Sequence, residues 1–219
     1  MKNYIIKKRE LVELCVMFSW CRKCNYVDIF PNTDYGCPKC NTPGSSPMFF
    51  SSEIFSLLQL IEDFYFAEND PIDSKDDFVN NEINRNDLAI IIFFCSFVET
   101  LIDHFLMVLM NKMQLPNKVQ ERLLDDNLSS KQRIEKLFRS LTNIKWKTAL
   151  NKLNKDYKQF DFVGTVNFYI NSVKPLRNRL LHRGDKWSIS KETSEKCVNY
   201  TKQFLYLFVA LNNKYVANS

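Results

Sequence analysis

The chain has 219 residues, 45% hydrophobic and 25% charged, a balance that excludes a disordered polypeptide and leaves room for one ordinary domain plus a small appendage. Its net charge of +5, with a pI near 8.7, is compatible with a polyanionic partner without requiring one. Eighteen phenylalanines and nine tyrosines against four glycines leave few tight turns, which argues for helices over a many-stranded β fold.

The N-terminal MKNYIIKKRELVEL holds no apolar stretch of signal-peptide length. The longest apolar run, Leu88 to Val98, is about half a membrane span, and Glu99, Asp103 and His104 interrupt its continuation. These features predict a cytoplasmic protein with no membrane partner.

Residues 1–50 concentrate the prolines, the glycines and five of the seven cysteines, four of them in C-x-x-C pairs, and read as a turn-rich module held by something other than a core. Ser51-Ser52-Glu53 then caps a predicted helix, IFSLLQLIEDFYF. Glu68 to Asp77, broken by Pro71, reads as a loop. A long helix follows over about 85–113, closed by Pro116. It carries Ile90, Phe93, Phe97 and Val108 on one side and Ile91, Phe94, Val98, Ile102 and Phe105 on the other. A helix without a wet face is buried from two directions. The rest of the chain looks too short to bury it centrally, so a homodimer is expected. Further helices are predicted at 117–125, 129–141 (capped by Ser129-Ser130), 143–155, 160–183 (ended by Gly184) and 190–212. Asp185-Lys186-Trp187 turns the chain between the last two. The fold class is thus mainly α, an up-and-down helical bundle behind a small cysteine module. The division is 1–50 for the module, 51–84 for a connecting helix and linker, and 85–219 for the helical domain.

The cysteines divide by spacing. Cys21-Arg22-Lys23-Cys24 and Cys37-Pro38-Lys39-Cys40 form two C-x-x-C pairs separated by twelve residues. Two such knuckles converging on one ion make the four-sulfur tetrahedron that zinc prefers, which predicts a zinc ribbon with structural Zn2+. Four thiolates leave no position open for substrate. Redox chemistry of a single pair is the weaker reading, because no thioredoxin-like βαβ pattern surrounds it. Zinc can simply replace a core that so short a segment cannot build. Alternatively Arg22, Lys23 and Lys39, with Trp20, Tyr26 and Tyr35 for stacking, offer a nucleic-acid surface. Cys15, Cys95 and Cys197 lie in apolar surroundings and read as small hydrophobes.

One of only two histidines lies in Pro175-Leu176-Arg177-Asn178-Arg179-Leu180-Leu181-His182-Arg183-Gly184. On a helix, Tyr169, Ile170, Val173, Leu176, Leu180 and Leu181 define an apolar arc. Arg177 projects from inside it, and Asn178 and His182, four apart, share its flank. An arginine in an apolar stripe needs a counter-charge, and Glu99 on the other long helix is the natural carboxylate. The same guanidinium, held in a partly dry cleft, is suited to gripping phosphate.

The segment RNRLLH resembles the R-[polar]-x-x-x-H motif of HEPN-domain ribonucleases, with Arg177, Asn178 and His182 at the matching positions. The layout over roughly 85–215 is also similar: a long first helix with an acidic residue, the motif late in another long helix, and one helix more. The resemblance implies a metal-independent endoribonuclease acting as a toxin or in antiviral defence, with RNA as substrate and an antitoxin or defence protein as a possible partner. It also implies pairing of two chains, so that His182 and Arg177 of both meet at a composite site. Glu99 supports Arg177 there, and Arg179 and Arg183 are available for neighbouring phosphates. The 2′-hydroxyl of RNA attacks the adjacent phosphate, leaving 2′,3′-cyclic phosphate and 5′-hydroxyl ends.

The alternative is a non-catalytic zinc-ribbon adaptor for nucleic acid or protein whose helical half only dimerises. The intact Arg177/Asn178/His182 set speaks against it. A metal-dependent nuclease finds little support: Glu62-Asp63, Asp76-Asp77 and Asp125-Asp126 read as solvated helix ends or loops, and no Gly-rich phosphate loop is present. His104 reads as a core or interface histidine.

Overall fold

The order of burial begins with one helix. In the computed structural model, which describes residues 6–28, 36–43, 48–67, 85–183 and 189–217, α3 (Arg85–Lys112) is enclosed by its own chain. Around it run α1 (Glu10–Met17), α2 (Ser52–Phe66), α4 (Asn117–Asp125), α5 (130–142), α6 (Trp146–Asp156), α7 (162–183) and α8 (Lys191–Tyr215). The described residues therefore form eight helices and no sheet, only the isolated bridges Ser19–Met48 and Trp20–Val27, as the composition predicts. The expected loop over 68–77, the Gly184 cap and the 185–187 turn lie outside the described residues.

α3 packs most extensively on α2 and α8. Phe64 of α2 stacks on Phe93 at 5.6 Å, while Phe94 and Phe105 meet Phe204 and Phe208 of α8 edge-on at 5.8 and 5.9 Å. Phe105 also tilts against Phe138 of α5, and Phe94 meets Tyr169 of α7. Each such ring contributes about 1.5–3 kcal/mol by burial. The helix is long and apolar enough to cross a membrane by length and composition, yet 56% of its most apolar window is already buried within the chain. α2 and α8 thus cover much of α3 from within the chain, so the helix does not by itself call for a second copy.

Residues 1–50 also depart from expectation, because they contribute a core as well as cysteines. Leu11, Leu14, Cys15, Phe18, Val27, Phe49 and Phe50 are buried and belong to one apolar cluster that runs from Ile6 to Val216. α1 starts with acidic Glu10 and Glu13 in its first turn, but Arg9 precedes it with φ 70° and no capping side chain. The cap comes from a distance. Buried Glu62 of α2 accepts the Leu11 N–H at 2.8 Å, at the positive end of the α1 dipole. Phe18 then wedges between Phe50 and Tyr206, at 5.7 and 5.4 Å.

Other boundaries follow local chemistry. Ser129 caps α5 through a capping box with Gln132. Asn143, expected to begin the next helix, instead ends α5 in the left-handed conformation, so α6 starts at Trp146. The cysteine module is fastened to the last turns of α8. Asn213 accepts the Val27 N–H at 2.8 Å and donates to the Val27 carbonyl at 2.6 Å, while Asn212 donates to the Asn25 carbonyl at 2.8 Å.

Half-buried His104 packs against Phe49 and Phe50, its Nε2 buried without a hydrogen-bond partner among the described residues. Burial holds its pKa below the ordinary 6.5, only partly offset by the Phe49 backbone and Glu53.

Asn213→Ala strands two buried backbone groups and is expected to cost about 2 kcal/mol in urea denaturation. An unchanged midpoint would refute the clamp. The depressed His104 pKa means that the unfolded chain binds a proton the folded chain refuses. Stability is thus unaffected above about pH 6.5 and declines as pH falls below it toward the folded value. The melting temperature of His104→Phe is expected to decline less between pH 7 and 5 than that of the unaltered chain.

Candidate functional site

Two widened helical turns face the polar side of α3. In α7, Asp161 caps the start by accepting the Gly164 N–H at 2.8 Å. A Cβ on Gly164 would lie 2.1 Å from the Asp161 carboxylate, which would have to swing aside and give up this cap. Further along, Tyr169–Val173 forms a π turn. Pro175 lacks the N–H that an α turn would bond to the Asn171 carbonyl, and the wide turn lies at that break. α5 carries its own π turn at Arg133–Leu137.

Between these turns, Glu99 gathers a set of donors on one oxygen. Its Oε1 accepts from Arg177 at 2.7 Å, from the Tyr169 hydroxyl at 3.3 Å and from the Ser130 hydroxyl at 3.5 Å. The Lys174 ammonium stands 3.9 Å from the same oxygen and hydrogen-bonds the Ser130 hydroxyl. Arg177 and Lys174 side chains are each 20% exposed, so both cations are largely withdrawn from water yet reach it at one edge. Burial pulls the Arg177 pKa down, but Glu99, with Cys95 and Tyr169, outweighs it and the net shift is upward. Burial lowers the Lys174 pKa, Glu99 opposes, and neighbouring Arg177 adds to the lowering. Burial also raises the Tyr169 hydroxyl and lifts the Cys95 thiol to about 11, against the pull of Arg177. One turn along α3, Asp103 takes both its oxygens to Arg133 at 2.5 and 2.6 Å. The Arg133 Nε donates to the Asn127 carbonyl at 3.0 Å, fixing the loop that presents Ser129 and Ser130.

The Glu99–Arg177 pairing expected from the sequence is therefore present. Asn178, Arg179 and His182 are exposed on the last turns of α7, and the Arg183 side chain lies outside the described residues. In the apolar arc, Tyr169 and Val173 are buried and Ile170, Leu176 and Leu180 half-buried, but Leu181 is 54% exposed. Among the described side chains beyond Arg177, Leu180 is half-buried and the others are exposed, whichever way they face. Sequence reasoning missed Lys174, Ser130 and Tyr169 as members of the cluster. The spacing of Lys174, three residues before Arg177 and on the same face, was the available signal.

The four cysteines converge as their spacing predicts. Cys21 and Cys40 sulfurs lie 3.6 Å apart, Cys24 and Cys37 3.5 Å apart, and all four fall within 4.8 Å of one another without a disulfide. A zinc tetrahedron with Zn–S near 2.3 Å has edges of about 3.8 Å, so the donor set fits the ion. Each knuckle closes the same way. Asn25 and Asn41, at φ 57° and 51°, donate to the carbonyls of Cys21 and Cys37 at 2.7 and 2.8 Å. The repeat C-x-K-C-N announces this, since asparagine tolerates the left-handed region. Gly36 is pressed against the Thr42 carbonyl, 2.8 Å from where a Cβ would stand. Arg22 and Lys23 are exposed on one knuckle, whereas Lys39 reaches the Ala217 carbonyl at the end of α8. Trp20 and Tyr26 are half-buried, and Tyr35 lies outside the described residues.

No family model, curated protein or solved structure matches the chain.

The full-length protein is expected to carry one equivalent of zinc by elemental analysis. Cys24→Ser together with Cys37→Ser should remove it and shift the fluorescence of half-buried Trp20 to longer wavelength. A metal content unaffected by that double substitution would reject the four-sulfur site.

Proposed function

We propose that the chain is a metal-independent endoribonuclease of the HEPN type, acting as a homodimer, in which an N-terminal zinc ribbon has a structural role. The observation that carries this reading is the 2.7 Å contact from Glu99 to Arg177, with Asn178 and His182 exposed one turn apart on the same helix. A guanidinium anchored at one nitrogen keeps further N–H donors for phosphate oxygens and cannot lose its proton.

In the proposed reaction, one His182 takes the proton from the 2′-hydroxyl beside the scissile phosphate. The freed oxygen attacks phosphorus, and Arg177 offsets charge on the non-bridging oxygens of the pentacoordinate state. The bond to the 5′-oxygen breaks as His182 of the partner subunit returns a proton to it. The products are a 2′,3′-cyclic phosphate and a 5′-hydroxyl. Asn178, four residues before His182, orients the imidazole or the phosphate.

Dimerisation no longer draws support from α3, but Leu181 gives it another. A leucine 54% exposed beside His182 puts apolar surface at the place where two motifs would meet. Arg179 and Arg183 are assigned to neighbouring phosphates on the same RNA. The zinc ion, held by Cys21, Cys24, Cys37 and Cys40, has no open coordination position and supports the fold alone. A toxin or antiviral-defence role in the cytoplasm, with an antitoxin or defence protein as restraint, rests on the motif resemblance.

Labelled RNA incubated with purified protein in a mild chelator is expected to be cut, leaving cyclic phosphate ends. His182→Ala or Arg177→Ala should reduce the rate by about 100-fold or more. Leu181→Glu should lower both the sedimenting mass and the activity. RNA left uncut by the unaltered chain, or cut undiminished by both site variants, would overturn the assignment, and RNA bound but uncut would favour a non-catalytic adaptor.

A further inference from the structure

The polar cluster on α3 does not balance its charge. Around Glu99 and Asp103 stand three cations, Arg133, Lys174 and Arg177. Arg133 is matched to Asp103 through both carboxylate oxygens. Glu99 is then left to serve two cations, and it does so unequally. Arg177 is at hydrogen-bond distance, whereas Lys174, at 3.9 Å, is beyond it. Tyr169, Cys95 and Ser130, which complete the surroundings, are neutral.

Lys174 has three N–H bonds. Among the described residues Ser130 takes one, and no other oxygen lies within hydrogen-bond distance. Its side chain is 20% exposed, so the unfilled donors are neither dissolved in bulk water nor sealed away. At that open edge the remaining N–H bonds can be taken by water or, with charge added to the hydrogen bond, by an anion's oxygens. Ser130, which fixes its direction, is 4% exposed and pinned between the Tyr169 hydroxyl and the capped start of α5. The ammonium is thereby pre-aimed and loses little freedom when an anion arrives.

We propose that Lys174 is a phosphate-binding residue that holds the RNA phosphate adjacent to the one cleaved, with Arg177 between the two. The choice of the adjacent phosphate follows from the helix. Arg177 lies five residues before His182, about 7.5 Å along the axis, and Lys174 lies eight before it, about 12 Å. Arg177 can share the reacting phosphate with His182, whereas Lys174 reaches one further along the strand. This assignment takes its substrate from the nuclease reading above, but the seat for an anion stands on the charge and geometry of the cluster itself. Lys174 then acts on binding and leaves the chemical step to others.

The test uses full-length, zinc-loaded protein carrying His182→Ala, so that a labelled single-stranded RNA oligonucleotide is bound but not cut, with fluorescence anisotropy read over a range of salt concentrations. Adding Lys174→Gln is expected to weaken binding about fivefold to tenfold at moderate salt. It should also flatten the slope of log K against log salt by about 0.7, the value for one single-strand phosphate contact. Lys174→Arg, which keeps the charge, should restore both. A merely structural lysine would not change the salt slope. In the active background, Lys174→Gln should raise KM with kcat nearly retained. An unchanged slope in Lys174→Gln, or a failure of RNA to bind at all, would overturn the inference. RNA that binds in a Lys174-dependent way but is never cut by the unaltered chain would sink the nuclease reading and leave the phosphate seat standing.

Discussion

The contact between Glu99 and Arg177 is the interaction around which the polar half of the molecule is arranged. α3 is apolar on almost every face, and a carboxylate in its middle can be kept there only if charged and hydroxyl partners come to it. α7 brings Arg177, Lys174 and Tyr169, and α5 brings Ser130, each helix passing the site with a π turn rather than a regular one. Wide turns of this kind sacrifice hydrogen-bond geometry and are found where a side chain must be aimed. Asp103 and Arg133 repeat the arrangement one turn along, but as a matched pair that fixes a loop. The first cluster is incomplete where the second is closed, and that difference separates a candidate site from a brace.

A second dependence runs between the cysteine module and α8. The knuckles place Asn25 and Val27 where Asn212 and Asn213 can hold their backbone groups, and the four sulfurs hold the knuckles. The sulfur cluster, the loop shape and the end of the last helix are thus one assembly. The exposed pair Arg22 and Lys23 rides on it at a fixed orientation rather than on a loose tether.

Much of this was legible from residue spacing. Paired C-x-x-C motifs foretold the sulfur cluster, and an arginine within an apolar stripe foretold a carboxylate across from it. Periodicity located the long helices to within a few residues because their apolar faces are broad and their caps local. What escaped was contributed from far away in sequence. α1 takes its cap from Glu62, fifty-one positions on from Leu11, so no capping residue stands beside its start. Lys174, Ser130 and Tyr169 join a site only through Glu99, and singly they look like a surface lysine, a helix cap and a core aromatic. The apolar girth of α3 suggested a second copy because the covering power of α2 and α8 was undervalued. Leu181 looked inward because periodicity says which way a residue points, not whether anything lies there to meet it.

The unbroken apolar cluster from Ile6 to Val216 limits how this protein can be taken apart. The stretch that bears the RNRLLH segment is not a cassette. Excised at Arg85, it would bare the side of α3 that Phe64 and its neighbours now cover, and Asn212 and Asn213 at the end of α8 would lose the backbone groups of Asn25 and Val27 that they hold. Fusion, shuffling or transplantation of the helical part would succeed only if the cysteine knuckles and α2 travelled with it.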